Sequence, residues 1–122
     1  MIVAGFGFTS RATVASLRSA FEAAGGGADV DLIAAPAEKA AAKALRAFAE
    51  EQSCPVRPID PESLRAVETA THSDRIERLH GTGSVAEAGA LSAAGAHARL
   101  LTTRQISSDR QATCALAIGG LT

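Results

Sequence analysis

The residues best suited to chemistry lie in one run, Gly81-Thr82-Gly83-Ser84-Val85-Ala86-Glu87-Ala88-Gly89-Ala90-Leu91, which continues to Gly95. The paired glycines permit a tight turn that residues with side chains resist. Ser84 then stands at a helix N-cap, and Glu87 can reach back to the Ser84 amide to complete a capping box. Val85, Ala88 and Leu91 recur at helical spacing, and Gly95 supplies the C-terminal cap. A glycine-rich turn opening into a helix N-terminus offers free amides and the positive end of a helix dipole to an anionic group. The same residues also specify no more than a well-capped helix, and at this point both readings stand.

A second run, Gly5-Phe6-Gly7-Phe8-Thr9-Ser10, follows an apolar strand and reads as a glycine-containing turn leading into another helix. It begins like a dinucleotide-binding fingerprint, with Asp29 and Asp31 about twenty residues further on. The third glycine is missing, however, because Ser10 and Ala12 occupy the nearby positions. Nicotinamide binding is therefore ranked low, and a small nucleotide-binding domain is kept only as an alternative. If the two glycine runs meet at one crevice, Arg11, Ser73, Arg75, His80 and Arg104 can add charge-assisted hydrogen bonds to an anion.

Glu87 reads first as a capping residue. As a catalytic acid or base it would require surroundings that perturb its titration. His72, His80 and His97 show no ligand spacing, so no metal centre is expected. The sequence also lacks a nucleophile elbow. Cys54 and Cys114 form no CxxC or zinc-type spacing and are expected to be unbridged, mainly structural thiols.

The elements that must position these residues follow from periodicity. Residues 2–6 form a short apolar strand, and Val14, Leu17, Phe21 and Ala24 mark one face of a helix ended by Gly25-Gly26-Gly27. Residues 30–35 read as a second buried strand stopped by Pro36. A helix then presents Ala41, Ala44, Leu45 and Phe48 on one face and Glu38, Lys39, Lys43, Arg46, Glu50 and Glu51 to solvent. Residues 56–59 give a third strand carrying a proline. Asp60-Pro61-Glu62 is a strong helix start. Ser73 caps one or two turns before the central helix, and residues 99–103 and 113–118 pair as antiparallel strands across Ser107-Ser108-Asp109-Arg110. The tail from Gly119 reads as frayed. The expected fold is a three-layer α/β/α sandwich with a mixed, about five-stranded sheet.

The totals limit what such a chain can do. At 122 residues it is expected to form a single domain, 1–122, with one core. A net charge of −1 gives no general attraction to nucleic acid or to an acidic membrane. With Phe as the only aromatic, base-stacking platforms are not expected. The apolar start is interrupted by Gly5, Gly7, Thr9 and Arg11, unlike a signal peptide, and a cytoplasmic protein is expected.

Gly81-Thr82-Gly83-Ser84-Val85-Ala86-Glu87-Ala88, the opening Ile2-Val3-Ala4-Gly5-Phe6-Gly7-Phe8 and the closing Ala112-Thr113-Cys114-Ala115-Leu116-Ala117-Ile118 together resemble a cobalamin-biosynthesis family, that of CobE and the C-terminal domain of CbiG. The resemblance runs from Ile2 to about Ile118. It implies a role at the corrin-ring stage of the aerobic route, with a precorrin or corrinoid intermediate as ligand or substrate and no separate cofactor. Other enzymes of the pathway are implied as possible partners. A precorrin lactone-ring hydrolase, the activity of whole CbiG proteins, is the alternative. With the two glycine runs and the cations near them read as one anion site, the expected ligand contacts are Gly5, Gly7, Thr9, Ser10, Arg11, Ser73, Arg75, Gly81, Thr82, Gly83, Ser84 and Arg104. The family commonly has a basic residue and then a glycine after Gly-x-Gly; here Thr9 and Ser10 follow Phe8, and Arg11 stands about where that glycine would be.

Overall fold

Five strands form one sheet whose order follows from which segments can be buried on both faces. The computed structural model describes residues 1–67, 84–95 and 97–119. Along the chain run β1 (Ile2–Phe8), α1 (Val14–Ala23), β2 (Leu32–Pro36), α2 (Lys43–Gln52), β3 (Val56–Ile59), α3 (Pro61–Arg65), α4 (Val85–Ala94), β4 (Arg99–Ile106) and β5 (Ala112–Ile118). The spatial order is β3-β2-β1-β5-β4. β1, β2 and β3 are parallel, whereas β5 runs antiparallel to both β1 and β4. The mixed five-stranded sheet and three-layer arrangement agree with the sequence expectation. Pro58 lies on β3, an edge strand, where a missing ladder donor is tolerated.

Strand alternation divides the core in two. Ala4, Phe6, Ile33 and Ala35 point to one face and meet Leu17, Phe21, Leu45 and Phe48 of α1 and α2. Phe6, Phe21 and Phe48 make a mutual aromatic cluster, with ring centroids 5.2–6.3 Å apart. Val3, Leu32 and Ala34 point to the other face, against Leu64 of α3 and Ala88 and Ala93 of α4. Cys114 is buried in the first cluster and Cys54 packs against it; both are free thiols. No helix among the described residues is long and apolar enough to cross a membrane.

The local signals hold at several helix ends. Asp60 caps α3, its carboxylate accepting from the Ser63 amide at 3.2 Å, with Pro61 at the first position. Gly95 ends α4 with φ 94°, in the left-handed half of the map that favours glycine. α1 begins later than the glycine run suggests. Its cap is Thr13, in a reciprocal box with Ser16. At the tail, the Gly119 amide bonds to the Met1 carbonyl at 2.9 Å, and residues 120–122 lie outside the described residues.

The Gly5-x-Gly7 segment needs correction. It is not a turn: both glycines lie within β1, which continues to Phe8. A Cβ on Gly5 would lie 2.1 Å from the Ala86 carbonyl oxygen and 2.6 Å from the Ala90 amide nitrogen. The missing side chain thus lets the backbone of α4 rest directly on β1. That removes the basis for a dinucleotide turn at these glycines. It also explains why α4 buries its small residues Ala86, Gly89 and Ala90 while Leu91 of the expected apolar stripe is only half-buried.

This contact separates two glycines that look alike in sequence. Gly5→Ala should destabilise the fold by about 3 kcal/mol, through overpacking against an unyielding helix backbone. At Gly89 a Cβ would meet only the Ala34 methyl, at an ordinary 4.0 Å. Gly89→Ala should therefore be neutral or stabilise by about 0.5–1 kcal/mol through helix propensity. Urea unfolding of the two variants should show these opposite signs.

Candidate functional site

At the carboxyl ends of β1 and β2 the sheet carries a cavity of about 610 Å³, a size usual for a small-molecule site. Its lining comes from six places in the chain: Gly7 and Phe8 of β1, Thr9 and Ser10 beyond it, Pro36 at the end of β2 with Lys39 after it, Val85 at the start of α4, Arg104 and Ile106 of β4, and Arg110 to Thr113 of the β4–β5 turn and the start of β5. Lys39, Arg104 and Arg110 are all cationic, and among the described residues no carboxylate belongs to the lining. Among the described residues the one ion pair is Arg18–Glu51 on the outer helices, so these three cations have no acidic partner there. The arrangement suits an anion carrying several charges.

Each cation is held by a different device. Lys39 Nζ lies 5.5 Å from the centre of the Phe8 ring, over its face, a cation–π geometry. Arg104 sits where the β4–β5 register shifts, between the Thr102–Leu116 and Gln105–Cys114 pairs. Its amide donates to Oε2 of Glu87 at 2.8 Å. Bulges of this kind redirect side chains, and here Arg104 is one of the residues lining the cavity. Arg110 belongs to a turn pinned by Asp109, whose carboxylate accepts from Ser107 Oγ at 2.6 Å, from the Gln111 amide at 3.1 Å and from Ser16 Oγ. These bonds, the Ser107 hydroxyl first, hold the Asp109 carboxyl below the ordinary carboxylate range.

The hydroxyls are arranged around the same opening. Thr9 Oγ1 donates to Gln111 Oε1 at 2.6 Å, and the Thr9 amide bonds to the Gln111 carbonyl at 3.0 Å. Thr113 Oγ1 donates to the Gly7 carbonyl at 3.2 Å. Ser84 is fully buried and accepts the Glu87 amide at 3.3 Å, forming the forward half of the expected capping box. The Glu87 carboxylate turns instead to the Arg104 amide on the neighbouring strand. Glu87 is itself fully buried and is not part of the cavity lining.

Of the residues singled out in the sequence, Gly7, Thr9, Ser10 and Arg104 line this cavity, and Ser84 directly precedes its Val85. Gly5 lies beneath α4, and Arg11 is exposed beyond the lining. Ser73, Arg75, Gly81, Thr82, Gly83, His72 and His80 lie outside the described residues. Among the described residues no His, Cys, Asp and Glu group is arranged to hold a metal. Lys39, read from the sequence as part of the solvent face of the second helix, lies with Glu38 and Ala41 in the turns before α2, which begins only at Lys43, and Arg110 and Gln111 were missed. Lys39 closely follows the end of a parallel strand, which is the usual binding edge, and that signal was available. Arg110 and Gln111 become visible only once β5 is known to lie beside β1.

Comparison with known proteins adds a second line of observation. Residues 2–117 match the family model described as cobalamin synthesis G C-terminus. The crystal structure of CobE, a protein from the cobalamin (vitamin B12) biosynthetic pathway, superposes with a TM-score of 0.85 at 30% identity, covering 96% of this chain and 89% of that one. Cobalamin biosynthesis protein ChiG from Agrobacterium tumefaciens gives 0.72 at 32% identity, covering 99% of this chain and 100% of that one. A cobalamin biosynthesis protein G homolog from Sulfolobus solfataricus shares the fold at 20% identity and TM-score 0.68, with 95% of this chain and 36% of that one covered. No curated protein sequence matches the chain.

Two outcomes follow from the held positions. Glu87→Ala removes the acceptor of the Arg104 amide and should cost about 1–3 kcal/mol, whereas Glu87→Gln keeps an oxygen for that bond and should fall closer to wild type in chemical denaturation. Asp109 behaves differently because its folded titration is depressed. Its contribution is complete above the ordinary carboxylate range and disappears as pH falls through the lower, folded value. Asp109→Asn should thus be less stable than wild type at neutral pH, with the gap closing in acid thermal melts.

Proposed function

The chain belongs to the cobalamin synthesis G C-terminus family and takes part in cobalamin biosynthesis, and from that premise we propose that it binds a multi-carboxylate precorrin or corrinoid intermediate at the cationic cavity. One observation carries this reading: Lys39, Arg104 and Arg110, supplied by three separate segments, share one cavity, and the described residues of its lining include no carboxylate. A corrin precursor carries acetate and propionate arms around its ring. Three cations spread around one opening suit several such arms better than a single charge. Thr9, Ser10 and Thr113 add hydroxyls at the same opening, and Phe8, Val85 and Ile106 add apolar surface for the ring edge. The Gly81-Thr82-Gly83 run directly precedes Ser84 in sequence, and we assign its backbone amides to the same ligand, with Ser73 and Arg75 as further contacts.

Binding is proposed ahead of lactone hydrolysis. Glu87, the acid–base candidate, is buried with one carboxylate oxygen on the Arg104 amide, and it shapes the wall without belonging to the lining. Its role in this reading is to hold Arg104.

Cobyrinic acid, a corrin whose acetate and propionate arms end in free carboxylates, is a direct probe. Calorimetric titration should give saturable binding that weakens as salt is raised, since part of the attraction is between exposed charges. Arg104→Ala should lower the affinity about tenfold or more, the loss of a charge-assisted hydrogen bond. Absence of saturable binding, or binding indifferent to both salt and Arg104, would overturn the proposal.

A further inference from the structure

The tip of the β4–β5 hairpin contains a residue type that its own backbone does not favour. Arg110 has φ 62°, in the left-handed region that glycine and asparagine adopt more readily. The Arg110 amide closes the turn on the Ser107 carbonyl at 2.9 Å, and hairpin turns that end in a left-handed residue usually place Gly there. Register alone would be satisfied by glycine. A costly local choice is expected where the side chain serves something other than the fold.

The surroundings hold this conformation in place. Ser107, 3% exposed, accepts at Oγ from the Gln111 amide at 3.1 Å and from the Ala112 amide at 3.0 Å. Asp109 ties the tip to Ser16 of α1, and the Ser108 amide donates to Ser19 Oγ at 3.0 Å. An otherwise exposed hairpin tip is thus anchored to a helix on one face of the sheet while Arg110 lines the cavity.

We propose that Arg110 is the specificity-determining cation of this cavity, kept in an unfavoured backbone conformation so that its guanidinium selects a carboxylate of the ligand over a carboxamide of the same shape. The inference rests on reading the cavity as an anion site. Its chemistry is that of the planar guanidinium, which has five donors and no acceptor. A carboxylate takes two parallel N–H bonds from that fork. A carboxamide offers one oxygen and turns an NH2 donor towards another donor, so it forfeits half the pairing and all of the charge.

Arg110→Gly separates the fold from the site. Because glycine suits the left-handed position, the variant should melt at a higher temperature than wild type. It should also bind cobyrinic acid about tenfold or more weakly and discriminate less between cobyrinic acid and the same corrin with its carboxylates amidated. Arg110→Lys, with the charge but not the fork, should retain part of the affinity and lose most of the acid-over-amide preference. A glycine variant with unchanged affinity and acid-to-amide ratio, or with a lower melting temperature, overturns the inference. Should wild type bind neither corrin, the functional proposal fails by itself and citrate decides the role of Arg110. Saturable shifts of the Gln111 and Thr113 amide resonances in wild type that vanish in Arg110→Gly support it, and their absence in wild type or persistence in the variant refutes it.

Discussion

The fold depends on a close approach of two backbones. With no Cβ at Gly5, the first turns of α4 lie on the centre of β1, and the Ala86 carbonyl occupies the space a side chain would need. Interiors are packed too densely for such a contact to relax by small adjustments elsewhere. The position of α4 follows from it, and so does the placement of Val85 at the cavity and of Glu87 against β4. A helix made mainly of alanine and glycine buries little area per residue. It is useful here because it can come close enough to serve as the second layer of the sandwich.

The cavity is a product of strand order. β1, β2 and β3 run in parallel, and β5 returns antiparallel beside β1, so β4 runs in the same direction as β1. The end of β4 and the start of β5 therefore come to the same edge as the ends of β1 and β2. Parallel-sheet folds usually bind ligands at that edge, outside the carboxyl ends of the strands. The antiparallel hairpin changes what the edge contains, because it brings Arg104, Arg110 and Gln111 across from the loops after β1 and β2. Cations far apart in sequence become neighbours around one opening.

Buried and half-buried polar groups keep that opening in shape. Glu87 takes an amide that the irregular β4–β5 ladder leaves over, and Ser107 takes two amides at the hairpin end. Each replaces a missing ladder bond at a place where an unpaired amide would be costly. The irregularities need not weaken the sheet when their amides are satisfied in this way. They fall beside Arg104 on β4 and Arg110 in the hairpin turn, two of the residues that line the cavity. Asp109 extends the same device to α1 through Ser16, which ties the hairpin tip to the first helix.

Much of the architecture was legible because it is written in short-range patterns. The apolar runs at β1, β2 and β5, the Asp60-Pro61 helix start, the Ser84 cap and the Gly95 stop each depend on residues within one or two turns of one another, and they lie where local chemistry puts them. The Gly5-x-Gly7 run was misread as a turn because glycine is equally consistent with a bend and with close approach by another backbone. Only the presence of α4 decides between them. The second half of the capping box was lost for a related reason: Glu87 could satisfy either the nearby Ser84 amide or a distant one, and β4 places the Arg104 amide within its reach. The sequence by itself determined the elements, the capped ends at Asp60, Ser84 and Gly95, and a chain able to form an α/β/α sandwich. Tertiary structure alone decided that Lys39, Arg104 and Arg110 share a cavity, because strand order and register act between residues that local patterning does not relate.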